Sequence, residues 1–288
     1  MAKDQQWKGE TRGNLLGYKI FVWSLKHIGL SFCYFLLVWV SFYFIFFSPK
    51  SSKELFNFYR KANQFSWPKA LLYIWKNYFY LGQSLVDKVA IYIGLRNEFT
   101  IHKPNYDQLL SIISTDKPCV FVVSHLGNFE AAGRLVTMPK KINLLMYEAE
   151  IQNIKNFMDS LKINSTIEAF TIKYDGSHIF HLSEAMRNNE IVCLHGDRFL
   201  EGSKTLSADF FGEKAKFPYG PFYLAERFKA NVVLVSLVKT KRKEMTLEFR
   251  QLDASHGAQG ILDSYSAELE KLVVKYPESW FNYHNFWQ

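Results

Sequence analysis

Cysteine is scarce in this chain and poorly placed for chemistry: Cys33, Cys119 and Cys193 are the only three in 288 residues, each inside an apolar run. Their spacing offers neither a metal clip nor a disulfide frame, so they read as small buried hydrophobes, in keeping with a reducing compartment. Zinc-finger spacing, a helix-turn-helix signature and a basic-aromatic RNA-binding motif are missing too. Nucleic acid therefore ranks behind an acidic membrane surface or an acidic carrier protein as the partner of a chain with formal net charge +8. There is no internal repeat and no low-complexity tract. Close metal-ligand units of the His-x-His or His-Glu-x-x-His kind are absent as well.

Charge itself is absent from residues 28–47. As a helix this run would extend about 30 Å, the thickness of a bilayer's hydrocarbon core, and it predicts a membrane-associated helix. No small-residue cleavage site follows it, which argues against a signal peptide. Basic residues flank both ends (Lys19 and Lys26 before, Lys50 and Lys53 after), so an in-plane helix is as compatible with the pattern as a spanning one. The aromatic content of 17% exceeds what a soluble core requires. Between residues 48 and 99 the aromatics Trp67, Leu71 beside them, Trp75, Tyr78 and Phe79 recur at helical spacing and predict an amphipathic helical segment.

From residue 100 onward the grammar changes. Short apolar runs at 119–123, 142–146, 167–172, 191–194, 232–238 and 245–249 alternate with helical stretches at 106–113, 129–136, 151–161, 179–186, 221–228 and 261–274. The expectation is an α/β domain over residues 100–288, with a mixed sheet flanked by helices. It follows an anchor at 1–48 and a helical segment at 49–99. Deleting residues 1–48 is expected, on this reading, to free much of the protein from membranes.

Two strand ends carry the chemistry. After the run 119–123 comes Ser124-His125-Leu126-Gly127-Asn128-Phe129-Glu130. Asn128 is suited to cap the following helix, which puts Glu130 in its first turn, able to swing back toward His125. A carboxylate behind an imidazole fixes the tautomer and stabilises the imidazolium, the minimal general-base unit. Backbone amides of Leu126–Asn128 are candidates for an oxyanion site. After 191–194 comes His195-Gly196-Asp197-Arg198-Phe199-Leu200-Glu201-Gly202. Here Arg198 offers forked donors for a phosphate, Asp197 is placed to hold it, and glycine permits close backbone approach. A metal-dependent hydrolase using His125, Glu130, His195 and Asp197 is the competing enzyme class. An inactive membrane-tethered binding protein is the non-enzyme alternative.

His125-x4-Glu130 in its Ser-His-Leu-Gly-Asn-Phe-Glu setting resembles the lipid A late-acyltransferase branch of the glycerolipid acyltransferase superfamily. Gly196-Asp197-Arg198, the Phe210-Phe211-Gly212 to Pro221 segment and the closing Pro277-Glu-Ser-Trp280-Phe281 are similar to later segments of that family. The resemblance implies a glycerolipid acyltransferase-like fold. The implied chemistry is transfer of a fatty acyl chain from an acyl-carrier-protein or coenzyme A thioester to the hydroxyl or amine of a lipid acceptor, with no metal and no other cofactor. It makes His125 and Glu130 catalytic, and Gly127, Asn128, Asp197, Arg198, Glu201 and Gly202 substrate-binding. It also implies the cytoplasmic face of a bacterial inner membrane. Trp280 and Phe281 are expected to pack rather than react.

Overall fold

The computed structural model describes residues 15–146, 167–171, 177–199 and 202–287; the side chains at 15–19, 130, 134, 146, 167–171 and 177 fall outside that description. The helix expected at 151–161 and the residue Glu201 therefore lie outside the described residues.

Four helices open the described residues: α1 (Leu15–His27), α2 (Leu30–Phe47), α3 (Pro49–Lys61) and α4 (Trp67–Tyr92). Gly29, at φ 107°, separates the first two in a conformation that a side chain would strain. Pro49 starts α3 at the first helical position, where its missing N–H costs nothing.

The α/β body follows, with β1 (Thr100–His102), α5 (Tyr106–Ile113), β2 (Cys119–Val123), α6 (Phe129–Leu135), β3 (Ile142–Met146) and β4 (Ile167–Thr171). Next are α7 (Ser177–Arg187), β5 (Ile191–His195), β6 (Thr205–Phe210), β7 (Glu213–Pro218), α8 (Gly220–Arg227), β8 (Asn231–Lys241), β9 (Glu244–Gln251) and α9 (Gly257–Lys275). Seven strands form one sheet in the order β1-β9-β8-β2-β5-β3-β4. Its pairs are parallel except β8–β9, which is antiparallel, so the mixed sheet expected from the sequence is present. Every residue of β2 and β5 is buried, as strands covered on both faces must be.

The hairpin β6–β7 is not among the strands expected from the sequence. Asp209, Glu213, Lys214 and Lys216 interrupt its apolar pattern, because one face looks outward. Its two-residue turn, Phe211–Gly212, has φ of 53° and 78°, the type I′ geometry that matches the twist of paired strands.

Alternation along β2 sends its side chains into two cores. Val120 and Val122 pack with Leu182 and Met186 of α7, Phe222 of α8 and Tyr265 of α9. Cys119, Phe121 and Val123 share the opposite core with Cys33 and Leu37 of α2, Val86 of α4, Ile112 of α5 and Leu135 of α6. The N-terminal helices thus form part of a covering layer of the sheet. Removing residues 1–48 strips Leu30, Cys33, Tyr34 and Leu37 from that core. The truncated chain is accordingly expected to lose its cooperative melt by circular dichroism. A melt within a few degrees of the full chain would show the layer to be dispensable.

Candidate active site

Strands β2 and β5 are parallel neighbours, and Val123 pairs with His195. Two residues beyond each lie His125 and Asp197, which therefore emerge side by side at the carboxyl edge of the sheet, where open α/β folds bind ligands. His125 Nδ1 lies 3.0 Å from both carboxylate oxygens of Asp197, and the backbone N–H of His125 donates to Asp197 Oδ2 at 2.8 Å. Asp197 thus sets a carboxylate against the imidazole, the role for which the sequence suggested Glu130. The latter is the second residue of α6, but its side chain falls outside the described residues.

An ionised Asp197 accepts the proton on Nδ1 and so places the basic lone pair on Nε2. Burial opposes ionisation of Asp197, but its interaction with His125, a contribution from His195 and the charge of Arg198 outweigh it, holding the carboxyl well below its usual range. For His125, burial and then the Arg198 charge push the pKa down to about 3, against the opposing pull of Asp197. The imidazole is therefore neutral, in its base form, throughout the physiological range. The sign for stability follows from linkage: the unfolded chain takes up a proton near pH 6.5 and the native site does not. This site thus loses stability as pH falls from about 6.5 toward 3. Turnover against pH is expected to show no acid limb near 6.5 from His125; a limb centred there that disappears in Asp197→Asn would contradict the assignment.

His195 stacks on His125, with ring centroids 4.6 Å apart and planes 28° from parallel, and the Phe129 ring stands perpendicular to it with centroids 4.4 Å apart. Its Nδ1 stands 3.8 Å from Asp197 Oδ1, too far for a hydrogen bond, and neither ring nitrogen has a partner among the described residues. Packing is what holds this ring.

His125, His195 and Asp197 bring possible ligand atoms within 4.8 Å of one another, so the metal reading can be tested on geometry. Imidazole lone pairs lie in the ring plane. In two stacked rings they run alongside each other and do not converge on one ion, and Nδ1 of His125 is already engaged by Asp197. As they stand, these three described donors do not fit a metal.

The turn after β2 differs from expectation in one respect that matters for the chemistry. Gly127 N donates to Ser279 O at 2.9 Å and Asn128 N to Leu237 O at 2.7 Å, while Leu126 N faces Ser124 Oγ at 3.4 Å. These amides point into the protein, so the oxyanion site expected there is not formed by them. Asn128 caps α6 as anticipated, accepting from Ala131 N at 3.2 Å, and its Nδ2 donates to Ser84 O of α4 at 2.9 Å. Both ends of that side chain thus hold the turn against α4 and α6. Gly127 has φ 79°, and a Cβ there would sit 2.3 Å from Leu237 O. Its hydrogen is needed for the turn to lie against β8. Gly127→Ala should therefore cost at least about 2 kcal/mol from backbone strain and overlap, checked by urea denaturation.

The C-terminal segment closes the site from the other side. Phe281 N donates to His125 O at 2.9 Å, Leu126 bridges Trp280, and Arg198 Nη2 donates to Phe281 O. Trp280 is 1% exposed, a packing residue as expected. Asn77 of α4, fully buried, donates to Trp280 O at 2.8 Å and Glu278 O at 3.2 Å, and accepts from Tyr283 at 2.8 Å. No spacing in the sequence connects Asn77 to residue 280. Nearby, burial and the charge of Arg198 push His284 down to about 4, against Asp197. Gly202, exposed at φ 80°, lies in the turn before β6, with Glu201 beside it undescribed.

Over 125 residues the chain is 30% identical to a phosphatidylinositol mannoside acyltransferase of Mycobacterium tuberculosis, an alignment that takes in 41% of this chain and 38% of that one. The profile of the family described as bacterial lipid A biosynthesis acyltransferase matches residues 95–288, from just before β1 to the closing Trp-Phe segment and beyond. With both strand-end motifs, the hairpin and the C-terminal clamp inside that match, the chain belongs to the bacterial lipid A biosynthesis acyltransferase family.

Proposed function

We propose that this chain is a membrane-associated acyltransferase that moves a fatty acyl group from an acyl-carrier-protein or coenzyme A thioester to a hydroxyl or amine of a lipid acceptor. The observation that carries it is the His125–Asp197 pair at the junction of β2 and β5, in a chain of this family. His125 Nε2 takes the acceptor's proton as its oxygen or nitrogen attacks the thioester carbonyl carbon. The tetrahedral intermediate collapses by expelling the thiolate, which recovers the proton from the imidazolium, so that no acyl-enzyme is needed. Since the amides of the turn are engaged elsewhere, the Arg198 guanidinium, half-buried and felt electrostatically by His125 and Asp197, is the positive charge assigned to the oxyanion or to a substrate phosphate. Glu130, at the head of α6, is assigned to the acceptor, and Glu201 and Gly202 to the donor's approach. A glycolipid acceptor, as the name of the mycobacterial relative states for that protein, is one member of the acceptor class. The cytoplasmic leaflet of a bacterial inner membrane, which faces water-soluble acyl thioesters on the cytoplasmic side, is the proposed location.

The test is acyl transfer by the purified full chain, given palmitoyl-carrier protein or palmitoyl-coenzyme A and a bacterial lipid extract, read by mass spectrometry of the lipids. A new acylated lipid that is lost in His125→Ala supports the proposal; free fatty acid as the sole product would indicate a hydrolase. Exhaustive chelation is expected to leave the rate unchanged, because the three described donors do not fit a metal. Arg198→Lys should raise the KM for one substrate more than it lowers kcat, since the fork geometry matters as well as the charge. Unchanged constants for both substrates would confine Arg198 to its bond with Phe281.

A further inference from the structure

We infer that α2 lies in the plane of a single leaflet as a fixed part of the catalytic body, and that its occupant is the acyl-chain region of a lipid surface. The inference rests on the membrane-associated reading above and decides its geometry, one embedded face in place of a span.

The sequence leaves α2 equally suited to crossing the bilayer: it has 18 uncharged residues, about 27 Å of helix at 1.5 Å per residue. Its packing separates the two cases. One stripe, Leu30, Cys33, Tyr34, Leu37 and Ser41, is buried against the protein. Helix α4 meets it closely, since a Cβ on Gly82 would lie 2.7 Å from Leu37 Cδ2. At the head of α2 the Tyr34 hydroxyl donates to Asp87 of α4, and Lys239 of β8 donates to both Asp87, at 2.5 Å, and Tyr34, at 2.8 Å. At the other end Ser48 leads directly into α3, where Ser52 donates to Ile45 O and meets Tyr78 of α4 at 3.1 Å. Both ends are thus fastened to the same α4, whose buried Asn77 and Asp87 tie it to the C-terminal segment, to Lys239 of β8 and to Tyr34. A helix held this way cannot carry one end across a bilayer without dragging these polar contacts into hydrocarbon.

The opposite stripe is exposed and aromatic: Phe35, Trp39, Phe42, Tyr43, Phe46 and Phe47, with Phe46 75% exposed. It continues onto α4, where Phe42 stands 5.7 Å from Trp75 and exposed Trp67, Leu71 and Leu72 follow. So large an apolar face is unusual for a soluble monomer and marks an interaction site. Lysines ring it. Lys26 is exposed near its head, Lys50 at its tail, and Lys69 lies 3.8 Å over the ring of Phe65. Apolar body and cationic rim together match a bilayer with anionic headgroups better than a protein partner.

The test places single cysteines at Lys26 and Lys50 in the full chain, produced in a bacterial host. Inverted inner-membrane vesicles are then labelled with a membrane-impermeant maleimide. The native Cys33, Cys119 and Cys193 are buried, so the unsubstituted protein serves as the blank. An in-plane helix predicts that the two sites label alike, before and after detergent. A span predicts that one is protected until detergent opens the vesicle, and that result would overturn the inference while leaving membrane association intact. Recovery of the protein in the soluble fraction would instead remove the membrane reading itself. Independently, Trp39→Asp combined with Phe46→Asp should weaken binding of the purified chain to phosphatidylglycerol-containing vesicles by at least about tenfold, with the melting temperature unchanged. Undiminished binding would place the embedded face elsewhere.

Discussion

Asp197→Asn is expected to reduce turnover by about 10²- to 10⁴-fold while the protein still folds. The carboxylate accepts the Nδ1 proton of His125 and so keeps the lone pair on Nε2. An amide of the same shape can donate to Nδ1 instead, which moves the proton to Nε2 and removes the base without moving the ring. It also withdraws the charge that would stabilise the imidazolium formed in the transfer step. His125→Ala should lose at least as much, and the double variant little more, because the two act as a unit. Single-turnover acyl transfer by the three purified variants checks this. Near wild-type turnover in Asp197→Asn, combined with a large loss in Glu130→Gln, would return the orienting role to Glu130.

Lys239→Met should destabilise the protein by about 3–5 kcal/mol, the largest stability effect expected of a residue that is not part of the reaction. Lys239 and Asp87 are buried, with side chains 8% and 1% exposed, and their ion pair at 2.5 Å is shared with the Tyr34 hydroxyl. Removing the cation leaves a carboxylate with only that hydroxyl, in a place where burial already pushes its pKa up. The strand that carries Lys239 also carries Leu237, whose carbonyl holds Asn128 N, so the loss should reach the His125 turn. Adding Asp87→Leu to Lys239→Met is expected to recover much of the stability, since a buried pair replaced by apolar groups is often neutral. Urea unfolding of both variants measures it. A single variant within about 1 kcal/mol of the parent would show the pair to be solvated.

Much of the catalytic body was legible from local pattern because strands buried on both faces are continuous apolar runs: 119–123 and 191–194 fall on β2 and β5 almost residue for residue. The same local logic found His125 at one strand end and Asp197 at another, and the capping role of Asn128, since a cap is satisfied within three residues. Which carboxylate serves His125 was beyond that reach. Glu130 is near in sequence, whereas Asp197 is brought there by the pairing of β2 with β5, and strand order is a property of the whole sheet. The engaged amides of residues 126–128 follow from the same cause, because their acceptors, Leu237 and Ser279, come from segments far along the chain. By itself, then, the sequence determined the alternation of strands and helices, the uncharged helix and the residue types at two strand ends, all matters of spacing within a few residues. Only the tertiary structure decided that Asp197 meets His125, that Asn77 clamps the C-terminal segment, and that α2 is docked along one stripe against the body. Each depends on groups that meet because the sheet and its covering helices bury the same surfaces together.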